Sequence, residues 1–131
     1  MNRWRDWIEQ GKLNLRAAKN SLKAGDFAWA CFAAHQAGEA ALKGLHLRLG
    51  QIAWGHSLMD LLSALPEDIK VSPELMGKAG ILDRLYIPTR YPDAHPSGPA
   101  SIHYRAEDAE EALAIAEEIV RFCESESLAD R

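Results

Sequence analysis

With 131 residues, 47% of them apolar and 26% charged, the chain is long enough for one domain with a real core, which excludes a disordered polymer. No apolar run approaches the length of a bilayer span, so a membrane-spanning class is excluded too. Fifteen basic against nineteen acidic residues leave a net charge of −4; this argues against a protein that coats DNA or RNA, and leaves room for a small local site for RNA or a nucleotide.

Met1-Asn2-Arg3-Trp4-Arg5-Asp6 leads straight into a charged amphipathic pattern, unlike a signal peptide, so the expected compartment is the cytoplasm. Trp4, Ile8, Gly11, Leu15, Ala18 and Leu22 recur at steps of four and three, which predicts a helix over about 3–23. Gly25 stops it, and Asp26 is a suitable N-cap for the next. The second helix, about 27–49, carries Phe27, Ala30, Ala34, Ala37, Ala41, Leu45 and Leu49 at helical spacing. Its many alanines and Gly38 let neighbouring backbones approach, so it reads as the central helix, ended by Gly50.

Ser57 with Asp60 resembles a capping box and opens a short helix bearing Leu58, Leu61, Leu62 and Leu65, which Pro66 terminates. Ser72-Pro73-Glu74 opens another, with Leu75, Ala79, Leu82 and Tyr86 on its inner face. Pro88, Pro92, Pro96, Gly98 and Pro99 exclude an α-helix from 87–101, the longest irregular stretch; such loops often carry function. The last helix, about 106–124, begins with Glu107, Asp108, Glu110 and Glu111, where the helix dipole favours negative charge. The polar tail, 125–131, is expected to fray. No strand alternation and no repeat appear. The prediction is a single all-α domain over 1–131: an antiparallel up-and-down bundle of four main helices, the third broken into two, ordered over about 3–124.

Cys31 and Cys123 lie within helical patterns and read as reduced core residues, and no Cys/His spacing resembles a zinc site. Trp4 continues the first stripe toward the core. Trp7 and Trp29 lie partly off the stripes and are candidates for a dimer interface, with a structural role for all four tryptophans as the alternative.

Four stretches carry a resemblance: Ala34-His35-Gln36-Ala37-Gly38-Glu39-Ala40-Ala41-Leu42-Lys43, Gly55-His56-Ser57-Leu58, Tyr86-Ile87-Pro88-Thr89-Arg90-Tyr91-Pro92-Asp93 and Asp108-Ala109-Glu110-Glu111-Ala112-Leu113. In this order and spacing they resemble a small stand-alone prokaryotic member of the HEPN-domain family, over about 5–124. The resemblance implies a bundle of four or five helices that forms a homodimer and is linked to nucleotides or RNA. Many members are metal-independent ribonucleases, often toxins or defence proteins; others only bind. Many are encoded beside a nucleotidyltransferase-like partner that neutralises them. The family's ribonuclease motif, an arginine, four to six residues and a histidine, falls on Arg90 and His95. Three positions depart from the pattern. Tyr91 stands where active members often have a small polar residue, Ser97 where toxin members carry a modifiable tyrosine, and Ala40 where a lysine often follows the glutamate.

Those residue types suit RNA cleavage without a metal or cofactor. The RNA's own 2′-hydroxyl attacks the adjacent phosphate, histidine moves protons near neutrality, and arginine's planar fork binds phosphate oxygens in pairs. In a two-fold dimer each loop meets its mate, giving a composite site with two of each. The plainer alternative has Arg90 paired with Asp93 or capping a helix end, and His95 as an ordinary loop residue. His35 and Glu39 share a helix face. Either Glu39 reaches the site and orients Arg90 or a base, or the pair belongs to a polar network that fixes packing. Tyr91 and Asp93 flank the motif, and His103 and Tyr104 border the loop; Tyr104 either stacks on a base or closes the core. His56 reads as a helix-start residue without chemistry. The alternative function is a non-catalytic nucleotide-binding module partnered with a nucleotidyltransferase-like protein; a third is a plain scaffold.

Overall fold

The computed structural model describes residues 1–131 and is entirely helical, with five α-helices and no strand. Helix α1 spans Trp4–Ala24, α2 Phe27–Arg48, α3 Leu58–Ser63, α4 Pro73–Asp83 and α5 Ala106–Leu128. Two 3₁₀ turns, Pro92–Ala94 and Ala100–His103, lie in the proline-rich stretch between α4 and α5. No helix is long and apolar enough to cross a membrane.

Local chemistry sets most of the boundaries. Gly25 takes φ +81°, so its own N–H reaches Leu22 O and that of Asp26 reaches Ser21 O, closing the end of α1. Asp26 then stands at the predicted N-cap position of α2, but its side chain accepts no capping hydrogen bond. The serine caps do form: Ser57 Oγ accepts from Asp60 N and Ser72 Oγ from Leu75 N, each at 3.1 Å.

Two boundaries differ from the periodic pattern. Helix α4 ends at Asp83, before Tyr86. Leu85 N and Tyr86 N turn to the carbonyls three residues back, and Pro88 disfavours helical backbone at Ile87, so Tyr86 leaves the helix face it was expected to share. Helix α5 continues to Leu128, four residues past Glu124, into the segment expected to fray. Ser127 is buried there, and Arg48 Nε donates to its carbonyl at 2.9 Å.

Helix α2 runs through the middle, with fourteen of its twenty-two residues buried. The pairs Ile8–Gly44 and Gly11–Ala37 set α1 antiparallel to α2. Lys12–Glu124 and Lys19–Glu117 set α1 antiparallel to α5. Gly38–Ile119 and Arg48–Ser127 run the same way along the chain, so α2 and α5 are parallel. Helices α3 and α4 complete the four-element bundle as a short pair folded back on itself, with the α3 start beside the α4 end. Leu42, Leu45, Leu58, Leu61, Leu62, Leu82 and Ile119 are its largest buried aliphatic side chains, each worth about 1.5–3 kcal/mol on leaving water. Cys31 and Cys123 are buried and unpaired; burial, with the Asp108 charge second, pushes the Cys31 thiol up to about 12.

Candidate functional site

Phe32, His35 and Glu39 follow one another at helical spacing along α2, on the side that faces the α3 start and the α4 end. Asp83, the last residue of α4, reaches across to the α3 start. Its carboxylate accepts from Leu58 N (2.7 Å), Met59 N (3.1 Å) and Ser57 Oγ (3.2 Å). His35, fully buried, brings Nε2 to 3.2 Å from Asp83 Oδ1; the carboxylate can only accept, so this nitrogen donates. Burial alone would raise the Asp83 carboxyl, but the bonds from His35, Leu58 and Met59 outweigh it and hold it below the usual carboxylate range.

Glu39 is buried one turn further along α2. One oxygen accepts from Lys43 Nζ at 3.0 Å and the other lies 2.9 Å from His56 Nδ1. Glu39 therefore holds a histidine, but that histidine is His56, and neither Glu39 nor His35 is hydrogen-bonded to Arg90. The His56 ring stacks on Tyr86, with centroids 4.7 Å apart and planes at 19°. Tyr86 also meets His35 at 5.0 Å and Phe32 at 6.0 Å.

The same tyrosine fixes Arg90. Arg90 Nε and Nη2 both donate to the Tyr86 carbonyl, at 2.9 and 2.7 Å. The guanidinium carbon lies 4.3 Å from the Phe32 ring centroid, 4.7 Å from that of Tyr86 and 5.1 Å from that of Tyr91. Such cation–π contacts are worth about 0.5–1 kcal/mol each at exposed sites. Of the two plain expectations for Arg90, pairing with Asp93 does not occur: Asp93 is exposed, and no carboxylate lies within ion-pair distance of the guanidinium. Nor does it cap a helix end: the carbonyl that it holds, Tyr86 O, lies in the turn beyond α4. Nη1 is left without a hydrogen-bond partner.

His95 donates from Nε2 to Pro88 O at 2.7 Å, and His103 from Nε2 to Ser97 O at 2.7 Å. Both bonds require the hydrogen on Nε2, which leaves Nδ1 of each ring free to accept. The two rings stack at 4.1 Å with planes 4° apart, and Tyr104 meets His95 edge-on at 5.8 Å. Tyr104 is half-buried against the core, and burial, with Cys31 and Asp108 next, raises its phenol, so it is a wall for His95 before it is a stacking surface.

The predicted residues thus gather into three groups joined through the Tyr86–Pro88 turn: Arg90 with Tyr91, His95 with His103 and Tyr104, and Glu39 with His56. His35 belongs to the Asp83 network. In the sequence Asp83 carries no marked role, Tyr86 reads as a core residue and His56 as a helix-start residue without chemistry. The only local signal was the four-residue spacing of Tyr86 and Arg90, which suits a side chain folding back on the preceding turn.

A family model described as the HEPN domain matches residues 4–126. Among solved structures, a protein from Thermus thermophilus is 62% identical, with a TM-score of 0.94 over 96% of this chain and 99% of that one. An archaeal HEPN homologue is 33% identical, with a TM-score of 0.80 over 97% and 99%. A HEPN domain protein from Thermotoga maritima is 37% identical, with a TM-score of 0.74 over 92% and 95%. Among curated proteins nothing matches.

Proposed function

The chain belongs to the HEPN domain family, and from that premise we propose that it binds RNA at the 86–104 loop and cleaves it, as a homodimer, without a metal ion. The observation that carries the reading is the state of Arg90. Its guanidinium is anchored by a carbonyl and three rings, meets no carboxylate, and keeps one nitrogen open, in a chain that is acidic overall. A fixed, uncompensated cation is what a phosphate needs, and it needs no rearrangement when charge builds up in the transition state. His95 supplies a proton carrier: with Nε2 held by Pro88 O, its protonated ring presents Nδ1–H to a leaving oxygen. Trp29, Ile87, Tyr91 and Ile102 are exposed around this loop, which favours a second copy docking there and adding its own arginine to the site.

A specific observation favours the second reading, a non-catalytic RNA- or nucleotide-binding module paired with a nucleotidyltransferase-like protein. Two of the three Arg90 nitrogens and one of the two His95 nitrogens already hold backbone carbonyls. Two assays separate the readings: binding of 2′-O-methyl RNA, which cannot be cleaved, and cleavage of ordinary RNA in EDTA. Arg90→Ala is expected to weaken binding about tenfold or more, since charge-assisted bonds are worth about 1.5–3 kcal/mol. His95→Ala is expected to keep binding and to lower the cleavage rate about 10²–10⁴-fold. Binding without cleavage by the unaltered chain supports the module; neither binding nor cleavage sinks both readings.

A further inference from the structure

Glu39 is a carboxylate that the bundle buries to 9% side-chain exposure, while the histidine that it holds, His56, keeps 55% of its side chain exposed. Burying a carboxylate is costly unless its oxygens are satisfied, and here Lys43 and His56 satisfy one each. The α3 start does not need this bond. Ser57 already caps the helix, and Asp83 already takes the Leu58 and Met59 N–H groups. The His56 ring is left open to solvent on its other side.

The bond also fixes the tautomer. An ionised carboxylate only accepts, so the hydrogen sits on Nδ1, and the neutral ring presents Nε2 as an acceptor. No group in the chain hydrogen-bonds to that Nε2. The ring is held flat on Tyr86, 4.7 Å away, and the Arg90 guanidinium carbon lies 4.7 Å from the same tyrosine ring. The Arg90 guanidinium carbon and the His56 ring centroid are therefore no more than twice that distance apart, a span that one ribose and its phosphate can bridge.

Resting on the reading of the loop as an RNA-cleaving site, we propose that His56 is a second catalytic residue: the general base that takes the proton from the attacking 2′-hydroxyl, positioned by Glu39. The 2′-oxygen gives its proton to His56 Nε2 as its bond to phosphorus forms. The bond from phosphorus to the 5′-oxygen breaks, and that oxygen takes a proton from His95 Nδ1. The products are a 2′,3′-cyclic phosphate and a 5′-hydroxyl. His56 ends protonated and His95 neutral, and exchange with water restores both. Glu39 stays ionised and stabilises the imidazolium that forms, as the carboxylate of a catalytic triad does. Lys43 holds the other Glu39 oxygen in place.

The test compares the unaltered chain with His56→Ala, His56→Gln and Glu39→Gln, each checked for folding by circular dichroism. The assays are single-turnover cleavage of RNA in EDTA and affinity for 2′-O-methyl RNA. His56→Ala is expected to cleave at least about 100-fold more slowly with affinity changed less than about twofold, and added imidazole to restore part of the rate. Nitrogen-detected NMR of the unaltered chain is expected to find the neutral His56 ring protonated at Nδ1. A purely structural His56 would not give imidazole rescue. Cleavage by His56→Ala within about threefold of the unaltered rate overturns the proposal and leaves the loop's nuclease role standing. Unfolding of both His56 variants makes the Glu39 bond structural and overturns it too. If the unaltered chain binds RNA but never cleaves it, the nuclease reading fails and the assignment of His56 falls with it.

Discussion

Asp83 accepts four hydrogen bonds, from His35 Nε2, Ser57 Oγ and the backbone of Leu58 and Met59, and so ties α2, α3 and α4 together beside the site. Its folded-state carboxyl lies below the unfolded value, despite burial, because those donors favour the charge. The unfolded chain therefore takes up the proton first as pH falls. The stabilisation is full above about pH 4 and is lost as pH drops through the folded value. Asp83→Asn is expected to cost about 1–3 kcal/mol at neutral pH, and the gap from the unaltered chain to narrow near pH 3. Denaturant unfolding at both pH values checks this; a gap that stays constant contradicts it. At this scale the sequence was legible where a residue acts on its own backbone neighbourhood. Ser57, Ser72 and Gly25 behave as their types predict. Asp83, Tyr86 and His56 also act on groups 17–54 residues away in the sequence, and nothing local marks such partners.

Helices α1 and α2 touch at glycine. A Cβ on Gly44 would lie 3.0 Å from Ile8 N, Cγ1 and Cδ1, and one on Gly11 3.0 Å from Ala37 O. Backbone cannot move aside as a flexible side chain does, so Gly44→Ala must push the helices apart. Alanine gains about 1 kcal/mol in helix propensity, and overpacking costs about 1–3 kcal/mol, so a net loss of stability is expected. A lower thermal midpoint for Gly44→Ala checks it; a rise would show that the helices separate without penalty. The 3.6-residue period announced both helices and the centrality of α2, because small residues leave a visible pattern. It missed the end of α4, where apolar Tyr86 fits the period but sits in a turn ahead of Pro88, and the end of α5. There the polar segment is held by Arg48 and by Arg131, whose Nη2 donates to Glu126 O, and such tertiary anchors leave no periodic trace.

The whole molecule is acidic, and Lys12, Lys19, Lys43 and Lys78 are paired with carboxylates, so the proposed RNA binding rests on a local site. With Arg90 as the proposed phosphate contact in each copy, and two copies in a dimer, the affinity for single-stranded RNA is expected to vary with salt with a log–log slope of about −0.7 to −1.4. A slope steeper than about −4 would mean a broad phosphate-binding surface elsewhere on the molecule. The fold was legible as a whole because every part of the period, caps and breakers pointed the same way. The sequence offers the candidate site only as residue types on a loop; its geometry comes from the packing of α2, α3 and α4 around Tyr86. The proposed nuclease site is best tested with an RNA strand beside the same strand with one deoxyribose, incubated in EDTA with the unaltered chain, Arg90→Ala and His95→Ala. Such a site gives cyclic-phosphate ends from the RNA, protection at the deoxyribose, and loss of cleavage in both folded variants. Cleavage at the deoxyribose, or cleavage that survives both substitutions, would contradict it.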